Sequence, residues 1–148
     1  MSFGEQLIAW RRELHQNPEL SGQEVETTAR LRQWLTNAGI TPLPYELPTG
    51  LVAEIGTGKK LIALRADIDA LPVEERSGVA FSSQRAGVMH ACGHDIHTSV
   101  ILGAALKLKE REASLNGRVR ILFQPAEENF GGAKSMVQVG VVRDVRAI

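Results

Sequence analysis

The first forty residues repeat apolar positions at intervals of three and four, a spacing that places side chains on one face of an α-helix. This pattern predicts one helix from Phe3 to His15 and a second from about Val25 to Ala38. Gly39 follows the second pattern directly and is typical of the carboxyl end of a helix. Ser21 and Glu24 lie three residues apart before the same helix, and this spacing predicts a capping box.

Three short apolar runs bounded by glycine or turn residues predict β-strands. They cover Gly50–Gly56, Leu61–Ala66 and Arg118–Gln124. Residues 57–60 form a turn between the first two runs, so we expect these two strands to pair as an antiparallel hairpin. The second run is apolar enough to lie in the centre of a sheet.

The remaining segments alternate between loop, helix and strand patterns. Residues 67–94 lack a helix or strand pattern, so we expect a loop there. Loops of this length inside compact domains more often have a function than merely connect two elements. We expect a helix over Thr98–Glu112, a short helix over Gly131–Val139, and the approach to another strand over Val141–Ile148. Strands that alternate with helices predict a layered α/β fold.

Composition and charge narrow the class of protein. The 148 residues suit one domain, and 43% hydrophobic with 23% charged residues is ordinary for a globular protein. Lys plus Arg and Asp plus Glu both number 17, which argues against a nucleic acid or an anionic membrane as partner. No apolar run approaches the roughly 20 residues of a membrane span. The sequence shows no signal peptide, and its single cysteine cannot form an internal disulfide. We therefore expect a cytoplasmic protein.

The first group of candidate functional residues lies at the end of the second predicted strand. Asp67 and Asp69 are two residues apart, so on an extended chain their carboxylates point the same way. They are either part of a site or simply solvated acids at a strand end.

The second group combines one cysteine with three of the four histidines of the chain, at positions 90–97. Thiolate and imidazole suit zinc and neighbouring transition metals. Gly93 allows Cys92 and His94 to turn toward one centre, and Asp95 is a candidate to fix the tautomer of a ligating imidazole. One alternative is a histidine-rich surface loop. Another is a nucleophilic Cys92 paired with His90 or His94, although such partners usually come from distant segments.

The third group is Glu127-Glu128, directly after the third predicted strand. Adjacent carboxylates that leave a strand point to different sides, so one can bind a metal while the other faces substrate and water. Alone, this pair would be an exposed acidic turn. Together with the other two groups it indicates metal-assisted hydrolysis, in which a carboxylate that does not bind the metal moves the proton of the attacking water.

Four segments in this order resemble the amidohydrolase branch of the aminoacylase/carboxypeptidase-type metallopeptidases. They are Arg11–Leu20, Ala63–Pro72, Met89–Thr98 and Leu122–Asn129. This branch includes hippurate hydrolases, N-acetyl-diaminopimelate deacetylases and auxin-conjugate hydrolases. The resemblance runs along essentially the whole chain and implies a three-layer α/β/α fold with a mixed central sheet.

The resemblance also implies roles for individual residues. Cys92, His94 and Glu128 correspond to ligands of a centre with two divalent metal ions, which would be Mn²⁺, Zn²⁺, Co²⁺ or Ni²⁺. Glu127 corresponds to the general base and acid that hydrolyses an N-acyl amino acid. Asp67 matches an acidic residue that, in the wider family, orients a ligand histidine two positions before it. In this sequence Arg65 stands in place of that histidine. His90, Asp95 and His97 receive no specific role.

Members of this family are longer than 148 residues. They insert a lid domain that also dimerises, and two further ligand histidines come from parts of the chain after residue 148, one of them from a Gly-x-His segment directly after it. We therefore expect residues 1–148 to be the amino-terminal part of a catalytic domain, without the lid domain and the rest of the catalytic domain. We expect the full-length form to be a homodimer. We expect residues 1–148 alone to be inactive, and the alternative is a non-catalytic fragment that binds metal weakly.

Overall fold

A computed structural model describes all 148 residues, and it contains the helices and strands that the apolar pattern predicts. The one large shift is in the third long helix, which begins at His94 rather than Thr98, so the histidine-rich loop runs directly into it. None of the helices combines the length and the apolar composition that a membrane-spanning helix requires. The elements are α1 Phe3–Gln16, α2 Val25–Asn37, β1 Leu51–Gly56, β2 Leu61–Asp67, α3 His94–Glu110, a 3-10 turn Glu112–Ser114, β3 Arg118–Gln124 and α4 Gly132–Gln138.

The sheet has the order β1-β3-β2, with β3 antiparallel to β1 and parallel to β2. The predicted hairpin of β1 and β2 is therefore wrong. Six of the seven residues of β3 are buried, so this strand gains most from the central position between the other two. The turn at residues 57–60 passes over the beginning of β3, where the guanidinium of Arg118 donates to the carbonyl of Gly58 at 2.7 Å.

Two apolar layers cover the two faces of this mixed sheet. Helices α1, α2 and α3 pack on one face, and α4 with the segment after it packs on the other. The expected three-layer α/β/α arrangement is confirmed. Core residues of the first layer include Leu14, Leu31, Leu35, Ile55, Leu102, Ile121 and Phe123. Core residues of the second are Val52, Ala63, Leu122, Met136 and Val141.

The last residues run beside the open edge of β2 without forming a regular strand. The amide of Ala63 donates to the carbonyl of Ala147 at 2.8 Å, and the amide of Arg146 donates to the carbonyl of Leu61 at 2.9 Å. In place of the expected approach to a further strand, residues 146–147 make two backbone hydrogen bonds to the edge of β2.

The predicted capping box of α2 is wrong. Glu24 makes no capping hydrogen bond, and the Glu19 carboxylate instead accepts the amides of Glu26 at 3.2 Å and Thr27 at 2.7 Å. Ser21 accepts no amide of this helix, and its hydroxyl donates to Asp69 at 2.7 Å. Glu24 turns into the interior, where it is fully buried.

Candidate metal centre

The three groups of candidate residues meet at one edge of the sheet. Asp67 is the last residue of β2, and Glu127-Glu128 follow β3. Because β2 and β3 are parallel, their carboxyl ends lie side by side. The loop that carries Cys92 reaches the same edge just before α3 begins.

Cys92, His94 and Glu128 form a compact group of potential metal ligands. Their ligand atoms all lie within 4.8 Å of one another, and His94 Nε2 is 3.8 Å from Glu128 Oε1. Gly93 adopts φ 78°, a left-handed conformation that lets the chain reverse between the cysteine and the histidine. The structure thus brings together the three residues that the sequence predicts as ligands.

Asp69 holds the imidazole of His94. His94 Nδ1 lies 2.8 Å from the Asp69 carbonyl oxygen and 3.2 Å from its Oδ1. A carbonyl oxygen only accepts, so Nδ1 carries the proton and Nε2 is left free to face the centre.

The same Asp69 carboxylate also accepts the backbone amide of Glu128 at 3.0 Å. One buried residue therefore orients two of the three candidate ligands. Sequence reasoning assigned no role to Asp69, and the only available signal was its spacing of two from Asp67.

These contacts set the protonation of the metal-free centre. Burial alone would raise the pKa of Asp69, but hydrogen bonds from His94, Glu128 and Ser21 hold it well below its usual range. Burial opposes charge on His94, yet hydrogen bonding to Asp69 and the charge of Asp67 raise its pKa to about 9. The Glu128 carboxylate beside the thiol raises the pKa of Cys92 to about 11. The site is rich in negative charge and suits cations.

Asp67 belongs to a second, overlapping group with His94 and His97. Its Oδ1 accepts His97 Nδ1 at 2.7 Å, and its Oδ2 lies 3.2 Å from Arg65 Nη1 and 3.6 Å from His94 Nε2. Because His94 Nδ1 is engaged by Asp69, both groups would have to use the same His94 nitrogen. The carboxylate that touches Nδ1 of the candidate ligand histidine is thus Asp69, while Asp67 lies on the Nε2 side.

Glu127 lies beside the ligand group without joining it. Its Oε2 is 3.8 Å from His94 Nε2, and its side chain is 36% exposed, against 21% for Glu128. The two adjacent glutamates therefore differ in their exposure and in their place relative to the ligand group. One carboxylate is part of the cluster and the other faces open space next to it.

Asp95 does not contact a candidate ligand imidazole. Its Oδ2 accepts His15 Nδ1 at 2.7 Å and lies 2.8 Å from Arg11 Nε, so it joins the start of α3 to α1. His15 Nε2 in turn lies 3.0 Å from Glu75. The pair Arg11 and His15 comes from the first of the four motif segments, which gives this segment a structural role next to the site.

The arrangement argues against Cys92 as a nucleophile. A nucleophilic thiol needs a lowered pKa and a base within reach, whereas the pKa of Cys92 is raised. His90 is buried with both ring nitrogens unpaired, and burial lowers its pKa to about 4. His94 is occupied by Asp69 on one side and faces carboxylates on the other.

The residues fit a divalent transition-metal ion. Glu128 Oε1 is buried and has no hydrogen-bond partner, although it lies among potential ligands. A buried carboxylate oxygen without a donor is costly unless a cation satisfies it. Thiolate, imidazole and carboxylate together are a donor set that zinc, cobalt, nickel and manganese accept.

Comparison with known proteins agrees with this geometry. A family model described as peptidase family M20/M25/M40 matches residues 63–148, more than half of the chain. N-acetylcysteine deacetylase of Bacillus subtilis (strain 168) is 50% identical over 151 residues, covering 99% of this chain and 40% of that protein. IAA-amino acid hydrolase ILR1-like 4 of Arabidopsis thaliana is 47% identical, covering 99% of this chain and 33% of that protein.

The similarity extends to a solved structure. The crystal structure of the Bacillus subtilis YXEP protein, described as a dinuclear metal binding peptidase from the M20 family, matches with a TM-score of 0.95 and 50% identity. The match covers 97% of this chain and 41% of that chain. The chain spans between 33% and 41% of the length of these three relatives.

Proposed function

Because this chain belongs to peptidase family M20/M25/M40, we propose that it carries part of the active site of a metal-dependent amidohydrolase. The observation that carries the proposal is the convergence of one thiol, one imidazole and one carboxylate, with ligand atoms within 4.8 Å of one another. The proposed reaction is hydrolysis of the amide bond of an N-acyl amino acid or a related small amide.

Cys92, His94 and Glu128 are the proposed metal ligands. Asp69 fixes the two ligands His94 and Glu128 through the ring nitrogen and the backbone amide. Asp67 adds negative charge on the Nε2 side of His94. Carboxylates next to a ligand set orient the ligands and raise their basicity.

Glu127 is the proposed general base and acid. Divalent metal ions, when bound, lower the pKa of a water molecule and polarise the substrate carbonyl. Glu127 accepts a proton from the water as the water oxygen adds to the carbonyl carbon. It then donates that proton to the amine nitrogen as the carbon–nitrogen bond breaks, which releases a carboxylic acid and a free amino acid.

The activities named for two relatives support the substrate class. One is an N-acetylcysteine deacetylase and the other an IAA-amino acid hydrolase, and both names describe an amino acid with an acyl group on its nitrogen. The description of a third as dinuclear supports two metal ions in the full site, with Mn²⁺, Zn²⁺, Co²⁺ and Ni²⁺ as candidates. A homodimeric full-length form and a cytoplasmic location complete the proposal, the latter from the single cysteine.

Residues 1–148 alone are proposed to be inactive and to bind metal weakly. Three candidate ligands are too few for two metal ions, and the chain spans between 33% and 41% of the length of these relatives. A site with missing ligands binds metal loosely. Metal-dependent turnover by residues 1–148 alone would contradict this part of the proposal.

A pair of adjacent variants tests the roles of the two glutamates. In the full-length, metal-loaded protein, we expect Glu127→Gln to lower kcat by about 10²- to 10⁴-fold with unchanged metal content, because it removes only proton transfer. Glu128→Gln is the matched control and should instead lose metal affinity. The assay follows release of the free amino acid from N-acetyl amino acids and hippurate. Wild-type rates in Glu127→Gln would refute the mechanism.

A further inference from the structure

Glu24 is a carboxylate with 0% exposure and no cation within salt-bridge distance. Its Oε2 accepts the hydroxyl of Thr49 at 2.8 Å, and its Oε1 accepts the backbone amide of Ala126 at 2.7 Å. A buried carboxylate is costly unless hydrogen bonds compensate it, so a hydrophobic residue would serve packing better. Ala126 lies one residue before Glu127, which connects this interior group to the candidate site.

Ala126 adopts φ 50°, a left-handed conformation that residues with a side chain rarely adopt. Both of its backbone polar groups are held: the amide by Glu24, and the carbonyl by the amide of Gly132 at 3.1 Å. If the Glu24 contact is lost, the Ala126 amide is left buried without a partner, and the chain gains by relaxing to a right-handed conformation.

The turn is also held from its other end. The amide of Glu128 donates to Asp69 at 3.0 Å, so buried carboxylates fix the amides on both sides of Glu127. The direction of the Glu127 and Glu128 side chains depends on the backbone between these two anchors. Pro125, just before the turn, packs so closely on Gly50 and Gly132 that neither glycine has room for a Cβ.

We propose that Glu24 is a positioning residue that holds Ala126 in its left-handed conformation and thereby aims Glu127 and Glu128 into the centre. The proposal rests on the proposed function, since it takes these two glutamates as the proton carrier and a metal ligand. Glu24 itself touches neither substrate nor metal. Thr49 completes the arrangement by satisfying the second carboxylate oxygen.

The test compares three variants of the full-length, metal-loaded protein. Glu24→Met keeps the length of the side chain and removes both acceptors, and we expect kcat to fall by about 10- to 100-fold with little change in KM. Glu24→Gln should restore most of kcat, because its amide oxygen accepts from Ala126 while its amide nitrogen donates to Thr49. If Glu24→Met fails to fold, Glu24→Asp, which is too short to reach both partners, carries the same test.

Glu19→Met is the matched control for a purely structural role. Glu19 is also a buried acid, with 4% exposure, and its carboxylate also accepts backbone amides, but it caps α2 rather than the turn. Glu19→Met should lower the melting temperature with kcat near the wild-type value. Equal losses of kcat in the Glu19 and Glu24 variants would overturn the proposal.

A second substitution separates positioning from stability. Ala126→Gly permits the left-handed conformation without strain, so Glu24→Met should cost several-fold less in kcat in the Ala126→Gly background than in the wild-type background. Equal costs in the two backgrounds would mean that Glu24 does not act through the conformation of Ala126.

Cobalt binding keeps this test independent of the proposed function. Absence of hydrolysis of any N-acyl amino acid by the wild-type protein would refute the function alone. The positioning role would still be decided by titration with Co²⁺, followed by the absorption of the cobalt–thiolate chromophore. We expect Glu24→Met to weaken Co²⁺ binding by about tenfold or more relative to wild type and Glu19→Met. Wild-type kcat and Co²⁺ affinity in Glu24→Met would overturn the proposal.

Discussion

At the scale of single residues, the candidate centre depends on a few buried carboxylates that each serve more than one partner. Asp69 receives the ring of His94, the amide of Glu128 and the hydroxyl of Ser21. Burial alone would raise the pKa of Asp69, but the hydrogen bonds that it accepts hold this pKa well below the usual range. The Asp69 carboxylate therefore orients the imidazole of His94 and the backbone of Glu128. Its loss would disturb both of these candidate ligands.

We expect Asp69→Asn to weaken metal binding by about 10- to 100-fold, because an amide cannot accept all three donors in place of a carboxylate. Ser21→Ala is the control, since it removes the third donor to Asp69 and touches no candidate ligand. Titration with a metal chelator measures both variants. Equal affinities for Asp69→Asn and wild type would show that Asp69 does not orient the ligands.

Cys92 offers a second prediction at this scale. Its thiol is exposed, but the Glu128 carboxylate beside it disfavours the thiolate and raises the pKa of Cys92 from 9.0 to about 11. In metal-free protein at pH 8, we expect iodoacetamide to modify Cys92 about tenfold more slowly than a free cysteine, because less thiolate is present. Glu128→Gln should accelerate the reaction. Mass spectrometry of the Cys92 peptide gives the rates, and a rate equal to free cysteine would contradict the prediction.

The candidate ligands and the candidate general base could be predicted from the sequence, but the buried residues that orient them could not. Cys92 and His94 stand out because thiols and imidazoles are scarce in the chain, and the glutamate pair stands out because it directly follows a predicted strand. Glu24 is separated from Ala126 by 102 positions in the chain, and Asp69 from Glu128 by 59. No local pattern indicates which distant amide a buried acid will meet, so the spacing of Ser21 and Glu24 suggested a helix cap instead.

At the scale of elements, the connection from β3 to α4 is where backbone packing constrains the site most tightly. Gly132 begins α4, and a Cβ there would lie 1.5 Å from the carbonyl oxygen of Pro125. No shift of a flexible side chain can relieve an overlap with backbone. The glutamate pair therefore leaves the sheet through a turn that requires glycine.

We expect Gly132→Ala to destabilise the protein by about 3 kcal/mol or more, since the overlap forces the turn apart. Gly131→Ala is the adjacent control, because a Cβ there meets only the side chain of Asn129 at 3.1 Å. Urea denaturation gives the free energies of unfolding. Similar values for the two variants would show that the turn adapts to a side chain.

Element types were predictable from apolar spacing, whereas strand order was not. The pattern located β1, β2 and β3 within a residue or so, because burial on a strand or helix face imposes its own period. The order depends on which strand gains most from the centre. The short turn at residues 57–60 favoured a hairpin locally, but the nearly complete burial of β3 places it between the other two strands.

At the scale of the whole molecule, the charged groups of the site determine how stability depends on pH. In the metal-free protein, hydrogen bonding lowers the pKa values of Asp67 and Asp69 despite their burial. Hydrogen bonds likewise lower that of Glu75 from 4.5 to about 2. The pKa of His94 moves the other way, from 6.5 to about 9. These opposite shifts favour the folded state over an intermediate range of pH.

We expect the free energy of unfolding of metal-free protein to be largest near pH 6.5. Burial lowers the pKa of His90 from 6.5 to about 4, so protonation of the unfolded chain costs stability as pH falls from 6.5 toward 4. The carboxylates contribute fully above their unfolded pKa values, and this contribution is lost as pH falls toward 2. His94 contributes fully below 6.5, and its contribution is lost as pH rises through 9. Urea denaturation across this range gives the profile. Asp69→Asn should flatten both limbs, and an unchanged profile in that variant would contradict the assignment.

The anchoring of Asp95 to α1 has a thermodynamic consequence. Asp95 follows the proposed ligand His94 directly and is bound by Arg11 and His15. A metal ion that binds only when the segment around His94 is ordered must also favour the state in which α1 is packed against α3. Because the coupling is reciprocal, the packing of α1 must raise the metal affinity by the same factor. Hydrogen exchange of α1 amides therefore reports metal occupancy from a helix that supplies no ligand.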